Sequence, residues 1–452
     1  MISLNPFAKD GWLRSVSRPI RRELPSAFRR KLVLSRARSN RSGHPATFIA
    51  VTGSSGKTTT ASLLGHVLEA FAPTTTQAVY NTADDIAPVV ASASRKSKFV
   101  ILEAGATRKG SIAQSARLIE PDVAIVTIVG LEHYSAFRSL EAVADEKGSL
   151  VDAVRPGGFA LLNADDEHVL AMRHRTGERI VTYGRDERAD FRIVSVEFTF
   201  PGPLRVRIAW KDNEETIVSS LPGKHFGLAV AAAFAAAVEL GVSPDQIKER
   251  IASFGSVQNR CQIMEVPQGP TFIIDAAKAP FGTINLAFDV MSDATDRRRK
   301  VVIGQISDYA GNPYSKYTKA YQWARAVADE VIAVGDNAHK VRATEEDIAN
   351  GRFHRFRDIY DVYSYLKETA VEGDLILLKS SSSLHLERVA LAWTKDVKCW
   401  EKRCGFTIGC ENCGLYAHPF PEHGQIRRRE RRRQRRDRLR RLITAPFRLF
   451  RA

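Results

Sequence analysis

The stretch Val51-Thr-Gly-Ser-Ser-Gly-Lys-Thr-Thr-Thr60 brings together the residue types that grip phosphate. An apolar run enters a loop with glycines at 53 and 56, and Lys57 opens a helix-forming segment. Glycines let the chain fold so that successive N–H groups face phosphate oxygens, aided by the positive end of the helix. Gly53, Ser54, Ser55, Gly56, Lys57, Thr58 and Thr59 are therefore the candidate nucleotide-binding set. Lys57 would offset charge on the β/γ-phosphates, and the Thr58 hydroxyl would ligate Mg²⁺. Only two residues separate Gly53 from Gly56, against four in the general Walker pattern, which narrows the class of protein. Glu103 follows the apolar run Phe99–Leu102, and His133 lies in a loop after Val123–Thr127. Both sit at carboxyl ends of expected strands, where open α/β sheets bind ligands, and together they could hold a second Mg²⁺. Taken singly, Glu103 reads better as a helix cap and His133 as a hydrogen-bonded loop residue.

These groups need a scaffold, and the surrounding pattern supplies one. Phe48–Thr52 reads as a buried strand, Lys57–Ala70 as a helix, and Phe99–Leu102 and Val123–Thr127 as further short strands. The alanine-rich run Leu228–Leu240 predicts a closely packed helix, ended by Gly241 and Pro244. A second unit begins near Val257, with strands expected at Thr271–Ile274, Val301–Ile303, Val331–Val334 and Leu375–Leu378. Strands alternating with helices predict mostly parallel sheets covered on both faces. The chain then divides into a basic N-terminal extension (1–45), a nucleotide-binding domain (46–256), a second α/β domain (257–395), a Cys/His-rich segment (396–424) and an arginine tail (425–452).

Composition fits that division. At 452 residues, 44% hydrophobic and 26% charged, the chain suits a multidomain globular protein and not a disordered or fibrous one. No run approaches the roughly 18 apolar residues that span a bilayer, and no secretory leader is recognisable. Five cysteines, four of them between Cys399 and Cys413, do not resemble a disulfide framework, so a cytosolic location is expected. The net charge of +16 resides in the ends: residues 1–45 carry +9 and residues 425–452 carry +11, which leaves the body near −4.

The ordered motifs GSSGKTTT, Glu103-Ala-Gly-Ala106, His133, Lys147 and Leu161-Leu-Asn-Ala-Asp-Asp166 resemble the Mur ligase superfamily. The branch that adds the terminal dipeptide to peptidoglycan precursors is the most similar. The likeness continues through Leu221-Pro-Gly-Lys-His225, Asn259-Arg260 and Ile274-Asp-Ala-Ala-Lys278 to Gly373–Ser380. It implies a central phosphate-loop ATPase domain with a mostly parallel sheet, followed by a Rossmann-like α/β domain. It also implies ATP and Mg²⁺ as cofactors and an acyl-phosphate route from a carboxylate and an amine to an amide. Glu103 and His133 would hold the second Mg²⁺, with Lys147 as its carbamate, although a solvated helix lysine is the alternative for Lys147. His225, Arg260, Asp275 and Lys278 would face the nucleotide. An ATP-dependent kinase or a non-catalytic nucleotide-binding scaffold are the competing functions.

Three departures bear on substrate. Nothing in residues 1–45 resembles the family's front domain, which grips the UDP-linked substrate. Phe226-Gly-Leu-Ala229 stands where adenine-contacting asparagines are usual, and Lys379-Ser-Ser-Ser-Ser383 replaces a Lys-Gly-Ser-Arg pattern. Outside the resemblance, Cys399, Cys404, Cys410 and Cys413, with His418 and His423 nearby, supply donors for a structural Zn²⁺ or are plain reduced thiols. The tail, with Leu442, Ile443, Phe447, Leu449 and Phe450 beyond its arginines, reads first as a contact for an anionic membrane surface. Nucleic acid comes next, and a solvated helix is the third reading.

Overall fold

The computed structural model describes residues 26–131, 136–294, 296–406 and 408–444. His133, the first 25 residues and the terminal Phe447, Leu449 and Phe450 lie outside them.

The nucleotide-binding domain is built on β1 (Thr47–Thr52), β2 (Thr74–Gln77), β3 (Phe99–Glu103), β4 (Val123–Val126) and β5 (Phe159–Asn163). Four more strands extend the sheet: β6 (Arg179–Gly184), β7 (Phe191–Glu197), β8 (Leu204–Trp210) and β9 (Asn213–Ser219). Their order is β2-β3-β1-β4-β5-β6-β7-β8-β9, parallel through β7 and antiparallel at the β7–β8 and β8–β9 pairs. Both faces are covered, which is why β1 is apolar from Phe48 to Val51. Phe48 and Ala50 enter one core layer, and Ile49 and Val51 the other. In β8, by contrast, Leu204, Val206, Ile208 and Trp210 are buried while Arg205 and Arg207 meet solvent.

The second domain carries β10 (Gln262–Glu265), β11 (Thr271–Asp275), β12 (Arg299–Ile303), β13 (Glu330–Val334), β14 (Phe353–Phe356) and β15 (Leu375–Lys379). The order is β10-β11-β15-β12-β13-β14, parallel except for the β10 edge. One apolar cluster includes residues of both sheets, among them Ile125 and Ile273, so the domains share a core. This is the α/β architecture expected, with a mostly parallel first sheet and a second sheet behind it.

The basic extension behaves differently from expectation. Its Pro- and Arg-rich composition predicts short interrupted helices outside any packed domain. Instead α1 (Ser26–Arg41) is a continuous helix packed on the first domain. Asn40 Nδ2 donates to the carbonyls of Val90 and Ala93, the end of the helix α3 (Ala83–Ser92), at 2.8 and 3.0 Å. Arg41, only 1% exposed, donates through Nε to Ile119 O at 2.6 Å and pairs with Asp122 at 3.2 Å. Ile119 ends the helix α4 (Ser111–Ile119), whose unpaired carbonyls and negative dipole end favour a cation. The Arg41 guanidinium also lies 4.2 Å over the Phe48 ring. The packed unit therefore starts before residue 46, because these polar side chains satisfy helix termini and do not stay in water.

At the other end, the helix His423–Thr444 leaves every described side chain from Arg428 to Asp437 exposed. Among the described residues no helix is long and apolar enough to cross a membrane.

Replacing Arg41 with alanine strands the carbonyls of Ile119 and Glu120 and leaves the Asp122 carboxylate with only Phe48 N and Arg155. The expected loss is about 2 to 3 kcal/mol of stability, read as a lower urea midpoint, with Arg155→Ala nearly silent.

Candidate active site

The phosphate loop sits between β1 and the helix α2 (Lys57–Glu69), at the point where the strand order reverses around β1. Its shape depends on glycine at two places. Gly53 has φ +144, and a Cβ there would lie 1.9 Å from Thr127 Oγ1; Gly56 has φ +80. The loop is tied to the chain after β4. Ser54 N donates to Ile128 O at 2.7 Å, and Ser54 Oγ and Gly130 exchange hydrogen bonds at 2.8 and 2.9 Å. Asn163, at the end of β5, donates to Thr127 O at 2.8 Å and steadies that neighbour. Lys57 is buried at the head of α2 and donates to the Gly53 carbonyl.

Glu103 ends β3 directly beside the loop and is 1% exposed. Its Oε2 accepts from Thr58 Oγ1 at 2.9 Å and from Val79 N at 2.8 Å, and its Oε1 accepts from Asn81 Nδ2 at 2.7 Å. Burial alone would raise its pKa. The Lys57 charge and these three donors outweigh that and hold the carboxyl below the usual carboxylate range. Thr58 and Glu103, expected as metal ligands, are thus brought into contact, and a cradle that admits no Cβ at Gly53 fits phosphate. Asn81 was not singled out from the sequence. The capping box that begins at Thr82 marks the helix start just after it, and that was the available signal. Val79, a β-branched residue at φ +78, takes up a strained conformation that aims its N–H at Glu103.

Lys147 lies in the last turn of the helix α5 (Leu140–Gly148) and is fully buried. This is not the solvated helix lysine of the alternative reading. It does not line the main cleft, and His133 lies outside the described residues.

Across from the loop, the second sheet presents Asp275 at the end of β11 and Lys379 at the end of β15, which are register partners. Lys379 Nζ donates to Asp275 Oδ2 at 2.6 Å and to Lys278 O at 2.9 Å, and both side chains of the pair are buried. Between the two sheets runs a cleft of about 520 Å³, bordered by Ser54–Thr59, Glu103, His225, Arg260, Asp275 and Lys278. That volume suits a small-molecule ligand of nucleotide size. Phe226, Leu228 and Ala229 line the same cleft, so the segment lacking the usual asparagines offers an apolar wall instead. Of the serine run, only Lys379 before it reaches the cleft. Ser380 Oγ accepts from Gln305 N at 3.0 Å and Ser381 N donates to Gln305 O at 2.8 Å, which ties the run to the β12 loop.

The cysteines fall into two settings. Cys261 is buried, and burial pushes its thiol well up, reinforced by the neighbouring Asp275 carboxylate. The other four surround a separate small cavity at the end of the second domain, and all five are unpaired.

Burial, partly countered by Asp275 and aided by Lys379, lowers the His225 pKa from 6.5 to about 4. A depressed pKa means that the unfolded chain takes up this proton first as pH falls. The contribution is fully present above pH 6.5 and is lost as pH falls toward about 4. Urea denaturation across that window should show a shallower loss of stability for His225→Asn than for the parent chain.

Residues 51–237 match the Mur ligase middle domain and residues 259–382 the Mur ligase glutamate ligase domain. The chain is 25% identical over 361 residues to UDP-N-acetylmuramoyl-tripeptide–D-alanyl-D-alanine ligase of Escherichia coli, with 78% of each protein covered. To the ligase of that name from Mycobacterium tuberculosis it is 28% identical over 383 residues, covering 79% of this chain and 74% of that one. Among solved structures, MurF from Acinetobacter baumannii matches with a TM-score of 0.71 at 21% identity over 80% of each chain. MurF ligase from Thermotoga maritima in complex with ADP gives 0.72 at 20% identity, covering 80% of this chain and 83% of that one. At those identities the structures speak for the fold. Two matched domains in the family's order, on sheets joined in this way, make the chain a member of the Mur ligase superfamily, close to the MurF branch.

Proposed function

We propose that the protein is an ATP-dependent ligase that joins a carboxylate to an amine through an acyl phosphate. The observation that carries the reading is the cleft itself, with the phosphate loop and Glu103 on one wall and Asp275, Lys278 and Lys379 on the other. Bound Mg·ATP would supply the γ-phosphoryl group and the divalent charge that offsets its oxygens. Thr58 would hold the first Mg²⁺, and Glu103, His133 and carbamylated Lys147 the second. Lys57 neutralises phosphate charge from below the loop. Arg260, Asp275, Lys278 and His225 border the nucleotide from the domain junction, and Phe226 with Leu228 gives the base an apolar face. The substrate carboxylate attacks the γ-phosphorus and ADP leaves. The amine nitrogen then attacks the acyl carbon, phosphate leaves and the amine loses a proton. Closure of the two domains over the cleft would exclude water from the activated acid.

The relatives named above act, by their names, on UDP-N-acetylmuramoyl-tripeptide and D-alanyl-D-alanine. For this chain we assign the reaction and an amine acceptor that differs from D-alanyl-D-alanine, because the serine run replaces an arginine that could meet the acceptor's carboxylate. Screening amino acids and dipeptides for stimulated ADP release tests the reading. Amine-dependent release with amide formation is expected, and Lys57→Ala, Glu103→Gln and Lys147→Ala should each lower kcat by about 100-fold or more. ADP release indifferent to every amine, or unchanged in those variants, would leave the kinase or scaffold.

Peripheral attachment to an anionic membrane belongs to the same reading. It is supported by the helix His423–Thr444, whose described arginines between Arg428 and Arg436 are all exposed. Vesicles rich in phosphatidylglycerol should retain the full chain at low salt and release it as salt rises, and a chain ending at residue 425 should not bind.

A further inference from the structure

Four cysteines of the segment after the second domain take no part in the ligase chemistry. Cys399, Cys404, Cys410 and Cys413 all wall one cavity of about 10 Å³, at the foot of the helix Glu387–Leu391. Such a space is about that of a single water-sized sphere, enough for one ion and too small for an iron–sulfur cluster.

The local chain is shaped for it. Cys410–Cys413 forms one helical turn, closed by Cys413 N to Gly409 O at 3.0 Å and by Gly414 N to Cys410 O at 3.1 Å. Gly414 has φ +69, a conformation that favours glycine. This turn carries two cysteines of knuckle-like spacing to the same cavity. Cys399 is set by its N–H to Tyr416 O at 3.0 Å, which brings the start of the segment back against its end.

Two guanidinium groups face the sulfurs. Arg388 is 1% exposed, yet its Nε points at Cys410 Sγ at 2.9 Å and an Nη at Cys404 Sγ at 4.0 Å. Arg427, stacked 3.7 Å over the Phe406 ring, donates to Cys413 Sγ at 3.5 Å. A neutral thiol is a weak acceptor and gives a buried guanidinium little in exchange for its lost hydration. Four thiolates on a divalent ion carry a net charge of −2, which two guanidinium groups offset through N–H···S bonds of the outer-shell kind. Beside this cluster Glu387 Oε2 is buried without a hydrogen-bond partner.

We propose that this cavity binds one Zn²⁺ through Cys399, Cys404, Cys410 and Cys413, and that the ion fastens the root of the arginine helix to the second domain. Soft thiolates and a four-donor set select zinc over hard cations. Among the described residues the one trio of ligating atoms within 4.8 Å of one another is His385, Glu387 and Cys410. Binding therefore draws the other three sulfurs inward around Cys410. The turn also touches the linker between the domains, through Gln258 Nε2 to Glu411 Oε2 at 2.9 Å and Asn412 Nδ2 to Gln258 Oε1 at 2.6 Å. The ion thus braces a contact two residues from Arg260 of the cleft.

The test is the metal content of the full chain, purified without chelators from zinc-supplemented cells and measured by plasma mass spectrometry. Stoichiometric zinc is expected, released as a mercurial reagent titrates the thiols. Cys410→Ser and Cys413→Ser should lose it, and Cys261→Ser should keep it. Should the serine variants fail to fold, cobalt replacement in the parent chain gives a second reading. Thiolate-to-cobalt charge transfer and intense tetrahedral d–d bands are expected. Folded protein with far less than stoichiometric zinc, zinc retained in both serine variants, iron with acid-labile sulfide, or a cobalt spectrum without thiolate bands would each overturn the proposal.

Discussion

The chain after β1 can form a phosphate cradle only because it runs against the chain after β4 with almost no room between them. At Gly53 even one added carbon would overlap the Thr127 hydroxyl. That close approach turns the Ser54 N–H toward Ile128, fixes Gly56 at positive φ and starts α2 at Lys57. Everything polar in the first wall follows from it. Lys57 and Thr58 leave the loop within reach of β3, whose last residue is Glu103, so cation, hydroxyl and carboxylate meet in a buried space. The carboxylate stays ionised because charge and donors were placed there before any ligand arrives, and little reorganisation remains for the moment of reaction.

The second wall repeats the logic with a different sheet. Its charges also stand at strand ends, and adjacent parallel strands put Asp275 and Lys379 side by side without a designed loop. Because β11 and β15 are buried on both faces, only their termini can be polar, and those termini point at the cleft. The remaining contacts across the domain junction are modest. Lys224 meets Asp293 at 3.3 Å near the surface, and Arg297 lies 5.5 Å over the Phe200 ring. Exposed pairs of this kind contribute about 1 kcal/mol or less each, so a change in how the domains meet costs little beyond the apolar area involved.

How much of this was legible in the residues depends on which forces decide each element. The β1–loop–α2 unit is local: apolar run, glycine spacing and helix start all agree, and its position was read to within a residue or two. The strands of the second domain were legible for the same reason, as short apolar runs between loop residues. The strands β6 to β9 were passed over, although Leu204–Trp210 alternates strictly between apolar and polar positions. An open α/β expectation looks for continuous apolar runs, and an antiparallel extension with one wet face does not supply them. Asn81 was hidden because its role comes from a loop that crosses to Glu103, a contact that no sequence window contains. The cysteine segment was legible as a donor set, but its geometry was not, since the sulfurs meet His385 and Arg388, which lie outside that segment.

The arginines make the sharper argument. Summing charge over a segment treats every arginine as solvated, and for the described arginines between residues 428 and 436 that is right. Arg41 and Arg388 belong to the same basic chain, and each is almost wholly buried. Arg41 is held by the spent carbonyls of a helix end, Arg388 by sulfur and by the Glu401 carbonyl at 2.6 Å. A guanidinium carries five donors in a rigid plane, so it can leave water wherever several acceptors converge, and a lysine at either place could not meet them all. Segment charge therefore says where partners of opposite sign can be recruited from solvent, while the interior arginines must be assigned one by one from the acceptors around them. In this chain that distinction separates the helix which roots the first domain from the helix that projects from the second.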